Sequence, residues 1–177
     1  MEHAQIDNPR VTLVIGGARS GKSRHAERLI AAHRPPWTYI ATAEAWDDEM
    51  RARIAEHRSR RGADWITRET PVELAAALAE TEAVPVLVDC LTLWLTNLLL
   101  GGHDFSAATA ALEVVLRARA APTVIVTNEV GQGIVPDNAL ARTFRDAAGV
   151  LNQRVAALSG HVTLMVAGIA MTVKEPR

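Results

Sequence analysis

The sequence predicts an α/β fold, a mostly parallel sheet with helices on both faces. Three observations predict it. Short runs rich in β-branched residues alternate along the chain with longer segments whose apolar residues recur at helical spacing. The first of these runs passes through a glycine-rich turn straight into a helical segment. Glycine and proline pairs punctuate the segments, and no internal repeat, linker or low-complexity stretch interrupts the alternation.

Each element follows from its local pattern. Residues 11–15, Val-Thr-Leu-Val-Ile, read as a buried strand that stops at Gly16-Gly17. A helix over 22–32 follows, with Ala26, Leu29 and Ile30 at helical spacing, and Pro35-Pro36 closes the unit. Residues 38–42 are a second strand. Residues 47–60 form a charged helix with Met50, Ile54 and His57 on one face. Pro71 suits the first turn of a helix running to about Glu80. A third strand over 84–88 ends at Asp89, and a helix over 91–100 stops at Gly101-Gly102. Ser106 is a candidate cap for a helix to about Ala120. A fourth strand over 123–127 leads into the loop 128–136. The last long helix spans 137–159 and the last strand 162–167. In such sheets, ligands bind beyond the carboxyl ends of the strands.

The bulk properties narrow the function. A chain of 177 residues, 49% hydrophobic and 22% charged, suits one globular domain, taken as 11–177 behind a flexible tail at 1–10. A net charge of −1 provides no global field for nucleic acid or an anionic membrane. Cys90 is the only cysteine, so no intrachain disulfide forms, which fits a cytoplasmic protein. Residues 1–10 are polar and lack the apolar core of a signal peptide. The most apolar stretch, 84–100, is broken by Asp89, Thr92, Thr96 and Asn97 and is no membrane span.

The glycine turn carries the chemistry. Gly16-Gly17-Ala18-Arg19-Ser20-Gly21-Lys22-Ser23 matches the pattern G-x-x-x-x-G-K-[ST]. Glycines allow a tight turn whose amides point inward at phosphate oxygens, and the helix beginning near Lys22 adds its positive end. Lys22 would neutralise the β- and γ-phosphates, and the Ser23 hydroxyl would ligate Mg²⁺. The fold class is therefore refined to a three-layer P-loop NTPase fold of RecA-like kind. The bland alternative is a strand–helix turn with an incidental lysine. Asp89, at the end of another buried strand, is either a second Mg²⁺ ligand or the N-cap of the helix that follows, and both roles are compatible. Glu129 is a further candidate for metal or substrate; its loop, with Gly131 and Gly133, could equally be only a connection.

Several stretches together resemble the bifunctional adenosylcobinamide kinase / adenosylcobinamide-phosphate guanylyltransferase family of cobalamin biosynthesis. They are the run from Gly16 to Glu27, Tyr39-Ile40-Ala41-Thr42, the run from Asp47 to Ile54, the run from Thr127 to Pro136, Phe144 to Gly149, and Asn152-Gln153-Arg154. The likeness runs from Val11 to about Thr172. The glycine loop is generic, but joined to Asn-Glu-Val-Gly-x-Gly-Ile-Val-Pro it is highly specific. The resemblance implies two reactions at one nucleotide site. ATP or GTP first phosphorylates the aminopropanol hydroxyl of adenosylcobinamide. GTP then donates GMP to that phosphate through a guanylylated histidine, giving adenosylcobinamide-GDP. It places the covalent histidine at His57 and guanine-nucleotide contacts at Glu69 and Asp89. Ile40, Ala41 and Thr42, with Arg58, Ser59, Arg60 and Arg61, would line the same site. It also implies a homotrimer. Two departures stand out. Residues 1–10 precede the point where many relatives begin, and the arginine-rich 55–65 segment varies in the family, which bears on the individual phosphate contacts.

The chemistry of His57 is sound without the family. A neutral imidazole can attack an α-phosphorus near neutral pH, and Arg53, Arg58, Arg60 and Arg61 could spread the charge. Alternatively His57 packs with Met50 and Ile54. His3, His25, His33, His103 and His161 have no comparable setting. The rival functions are a plain small-molecule kinase, which needs no covalent histidine, a nucleotide switch, and a nucleic-acid ATPase. The sequence holds no Asn-Lys-x-Asp motif of regulatory GTPases, and its charge argues against nucleic acid.

Overall fold

The computed structural model describes residues 7–44, 48, 51, 55, 61–81 and 83–176. In chain order the described elements are β1 (Asn8–Gly16), α1 (Lys22–Ala31), β2 (Trp37–Ala41), β3 (Trp65–Glu69), α2 (Leu74–Ala79), β4 (Val86–Asp89), α3 (Leu91–Leu100), α4 (Phe105–Ala118), β5 (Thr123–Asn128), α5 (Ala139–Leu158), β6 (Ser159–Val166) and β7 (Ile169–Lys174). The strands form one sheet in the order β3-β2-β4-β5-β1-β6-β7. Every pairing is parallel except β6 with β7.

The strands are apolar on both faces because both are covered, as a parallel sheet requires. Successive side chains point to opposite sides, so neighbours in sequence join different cores. Leu13, Ile40, Val86, Val88 and Ile125 pack with Leu78, Trp94, Leu98, Leu112, Leu116, Leu151 and Val155 from α2 to α5. Val14, Tyr39, Leu87, Val124 and Val126 pack with Ala26 and Ile30 of α1. The result is the three-layer arrangement the sequence predicts.

At the amino-terminal pole, Arg119 is 3% exposed and ties two connections together. Its Nε donates to Thr123 Oγ1, Nη1 to the carbonyls of Leu78 and Thr81, and Nη2 to that of Val84. A buried guanidinium satisfied in this way closes the ends of α2 and α4.

Some boundaries differ from the sequence reading. Two edge strands were not expected. In β3 the flanking charges obscure a five-residue run, and β7 turns back after Ala167 and Gly168, both at positive φ (51° and 82°). β1 begins at Asn8, so residues 8–10 of the expected tail are strand; the Asn8 amide donates to the carbonyls of Leu116 and Arg119. Helix α2 starts at Leu74, not Pro71, because the carbonyls of Pro71 and Val72 accept from Asn97 Nδ2 and Trp94 Nε1. Asp104, not Ser106, caps α4, accepting from the Ala107 amide at 3.0 Å. Of the helix expected at 47–60, residues 48, 51 and 55 are helical, and the rest lies outside the described residues.

Candidate active site

The register sets the site at one edge of the sheet. Gly16 pairs with Asn128, and Asp89 pairs with both Ala41 and Val126. The carboxyl ends of β1, β5, β4 and β2 therefore lie side by side, with the loop 16–23 at one end of the row.

The loop is built as its sequence requires. Gly21 stands at φ 92° as the first turn of α1 begins, and Arg19 stands at φ 54°. The Ser20 amide donates to the Gly17 carbonyl and the His25 amide to that of Gly21. The β6–β7 turn braces the loop from outside, because the Gly168 amide donates to the Ser20 carbonyl at 3.0 Å. Gly16 has no room for a side chain: a Cβ there would lie 2.5 Å from the Met165 carbonyl oxygen. The Ser20 hydroxyl is buried without a hydrogen-bond partner among the described residues. A phosphate oxygen is the kind of group that would satisfy it.

Lys22 folds back over the loop. Its ammonium donates to the Gly17 carbonyl at 2.5 Å and its side chain is almost wholly covered. Burial lowers its pKa below the ordinary lysine range, while neighbouring Cys90 and Asp89 pull the other way. Lys22 and Asp89 thus share one electrostatic site. Asp89 does not cap α3; Cys90 occupies that position without a side-chain cap bond. Asp89 Oδ2 instead accepts from the Tyr39 hydroxyl at 2.9 Å. Arg61 lies over the Tyr39 ring, its Cζ 3.5 Å from the centroid. Burial, and then Asp89, pushes the Tyr39 phenol far above its usual range, so Tyr39 stays a neutral donor. Burial likewise pushes the Cys90 thiol up to about 11, which makes it a poor nucleophile.

The remaining predicted residues fall into three groups. Ala41 and Thr42 lie at the same edge, but Thr42 is fully buried and structural: its hydroxyl donates to the Cys90 carbonyl and accepts from the Cys90 amide. Asn97 Nδ2 holds the Thr42 carbonyl at 2.8 Å. Ile40 is also fully buried, in the α2–α5 core. Glu69 ends β3 in register with Ala41, with β2 and β4 between it and β5. Gly17, Ala18 and Arg19 are exposed at the loop, and Ser23 is half-buried in the first turn of α1. His57, Arg58, Ser59 and Arg60 lie outside the described residues. Sequence reasoning missed Tyr39 as a partner of Asp89. The signal was available, since it is the chain's one tyrosine and stands beside the expected 40–42 segment.

Ser23 and Asp89 each offer oxygen, the donor type of a hard cation such as Mg²⁺, which takes few protein oxygens and completes its shell with water and phosphate. The described residues contain no cluster of three or more His, Cys, Asp or Glu.

Residues 12–173 match the family model described as cobinamide kinase / cobinamide phosphate guanyltransferase. The chain is 50% identical over 169 residues to the bifunctional adenosylcobalamin biosynthesis protein CobP of Pseudomonas aeruginosa, covering 93% of this chain and 98% of that one. It is 46% identical over 181 residues to the bifunctional adenosylcobalamin biosynthesis protein CobU of Salmonella typhimurium, covering 92% and 98%. Among solved structures, the flagellar accessory protein FlaH of Methanocaldococcus jannaschii superposes with a TM-score of 0.52 at 11% identity, over 97% of this chain and 80% of that one. An ATPase from a bacterial type III secretion system gives 0.54 at 11% identity, over 92% and 56%. These two likenesses establish the fold, that of P-loop NTPases.

Proposed function

Because the chain belongs to the cobinamide kinase / cobinamide phosphate guanyltransferase family, we propose that it assembles an activated corrinoid in two steps at one nucleotide site. In the first step, ATP or GTP phosphorylates the hydroxyl of adenosylcobinamide. In the second, GTP donates GMP to the new phosphate. The observation that carries this reading is the braced 16–23 loop, with Lys22 covered beside Asp89 at the carboxyl edge.

The loop amides, the Ser20 hydroxyl and Lys22 hold the triphosphate and disperse its charge, which is most of what phosphoryl transfer asks of a protein. Mg²⁺ held by Ser23 and Asp89 would supply further charge neutralisation. Tyr39 fixes Asp89 by its hydrogen bond, and Arg61 is held in place by the Tyr39 ring. For the second step, an imidazole nitrogen of His57 attacks the α-phosphorus of GTP. The N–P bond forms, the α–β bridging P–O bond breaks, and pyrophosphate leaves. A phosphate oxygen of adenosylcobinamide phosphate then attacks the same phosphorus, the N–P bond breaks, and adenosylcobinamide-GDP is released. Glu69 and Arg58 to Arg61 serve the guanine nucleotide in this scheme.

No described helix is long and apolar enough to cross a membrane. The proposed setting is the cytoplasm and the proposed assembly a homotrimer. The deciding experiment incubates the protein with α-labelled GTP and no acceptor, then denatures it. Acid-labile, alkali-stable label on protein, lost in His57→Ala, is expected. Unlabelled protein that still phosphorylates adenosylcobinamide would leave only a plain kinase.

A further inference from the structure

We propose that Glu129 is the proton acceptor of the kinase half-reaction and has no part in the guanylylation half. The inference rests on the two-step reading above and assigns a residue within it.

β5, which Glu129 follows directly, lies between the two strands that carry the nucleotide machinery. β5 is flanked by β1, which delivers the phosphate loop, and by β4, which delivers Asp89. The Glu129 amide donates to the Gly16 carbonyl at 3.1 Å, so its backbone touches the first residue of the loop. Of the three strands β4, β5 and β1, β4 ends in a carboxylate and β5 is followed at once by one. Asp89 is engaged by Tyr39 and by the charge of Lys22. Glu129 is the other.

The end of β5 is fixed more firmly than a connecting loop needs. The Asn128 amide donates to Thr92 Oγ1 at 2.8 Å, and Asn152 Nδ2 donates to the Asn128 carbonyl at 3.1 Å. The Thr127 hydroxyl donates to Asn152 Oδ1 at 2.7 Å. Asn152 is buried on α5 and Thr92 on α3, so two helices pin the residue before Glu129. Val130, the residue after it, packs against the apolar core. The carboxylate itself is held at one oxygen, Oε1, by the Gly131 amide at 2.5 Å. A Cβ at residue 131 would lie 3.0 Å from that oxygen. Oε2 accepts no hydrogen bond among the described residues. A carboxylate fixed by one oxygen and open at the other, beside a phosphate loop, is equipped to receive a proton.

The step balances as follows. The hydroxyl oxygen of adenosylcobinamide attacks the γ-phosphorus, and an O–P bond forms as the β–γ bridging P–O bond breaks. The nucleoside diphosphate leaves with that electron pair, and the hydroxyl proton passes to Glu129 Oε2. Asn152 is a positioning residue, acting through Asn128.

The test is Glu129→Gln in the full chain. The amide oxygen of glutamine can still accept from Gly131, so the loop keeps its brace while the proton acceptor is lost. The expected result is a fall of about 10²–10⁴-fold in kcat for phosphorylation of adenosylcobinamide. Nucleotide Kd, melting temperature and self-labelling from α-labelled GTP should stay within about twofold or a degree of wild type. Wild-type kcat would overturn the proposal. So would a raised KM for the corrinoid at unchanged kcat, which marks a gripping residue. A parallel loss of both half-reactions with weaker nucleotide binding marks a metal or structural role and also overturns it. If the wild-type protein does not phosphorylate adenosylcobinamide at all, the two-step reading itself fails, and that outcome is separate from any effect of Glu129.

Discussion

Replacing Gly16 by alanine tests whether the phosphate loop is held from outside. The added methyl would sit 2.5 Å from the Met165 carbonyl oxygen and 2.9 Å from the Ser20 hydroxyl. The first contact is about 0.9 Å short of the 3.4 Å at which ordinary contact begins. The serine can rotate, but the carbonyl belongs to β6, where Met165 is the register partner of Gly16. Relief therefore requires β1 and β6 to part, or Gly16 to move within the loop. Overpacking of this kind costs about 1–3 kcal/mol. For a chain of this length that is a fall in melting temperature of roughly 2–10 °C. The same displacement misplaces the first amides of the cradle, so MgATP affinity should drop by about tenfold or more. Gly17→Ala is the internal control. Nothing lies within 4 Å of a Cβ there, and its φ is not positive, so its melting temperature should match wild type. The assay is thermal denaturation of both variants with calorimetric titration of nucleotide. If Gly16→Ala melts and binds like wild type, or Gly17→Ala melts as low as Gly16→Ala, the bracing argument is wrong.

Two further predictions concern the scaffold. Arg119→Met should destabilise the protein by about 1–3 kcal/mol, because it removes the guanidinium hydrogen bonds to Leu78, Thr81, Val84 and Thr123 and leaves the Val84 carbonyl without its side-chain donor, and denaturant titration reads this directly. Stability should also fall at alkaline pH. Cys90 is raised from 9.0 to about 11 and Tyr39 is raised from 10.0, so the unfolded chain ionises first. Their contribution is whole below pH 9 and is lost as pH climbs towards the folded values; the lowered Lys22 acts in the opposite sense but is one group against two. Cys90→Ala should flatten the loss between pH 9 and 11, measured by chemical denaturation across that range; an unchanged slope would show that the thiol is not protected.

What was legible in the sequence was what is local. The strand, glycine turn and helix from residue 11 to 31 are contiguous, so one pattern fixes both the loop and its position, and Asp89 stands out because an apolar run precedes it. What was not legible joins residues far apart in the chain. Tyr39 meets Asp89 only because β2 and β4 pair, 50 positions apart. Gly16 has no room for a side chain because β6 crowds it, which nothing near residue 16 announces. Asn97 on an apolar helix looked like a mere interruption, yet it holds the ends of β2 and the α2 entry.

These distant contacts bear on how one site would serve the two proposed chemistries. The loop is fixed by β6 through Gly16 and by the β6–β7 turn through Ser20, and its neighbour β5 is pinned by α3 and α5. On the proposed reading, a cradle held on these sides keeps its place between half-reactions. The triphosphate then lies in one place, and the two attacked phosphorus atoms are separated by the length of the nucleotide's own chain. On the proposed reading, separate protein groups must serve the two ends, Glu129 at the γ-phosphorus and His57 at the α-phosphorus. Substitution at one should spare the other, which a loop that slid or refolded between steps would not permit.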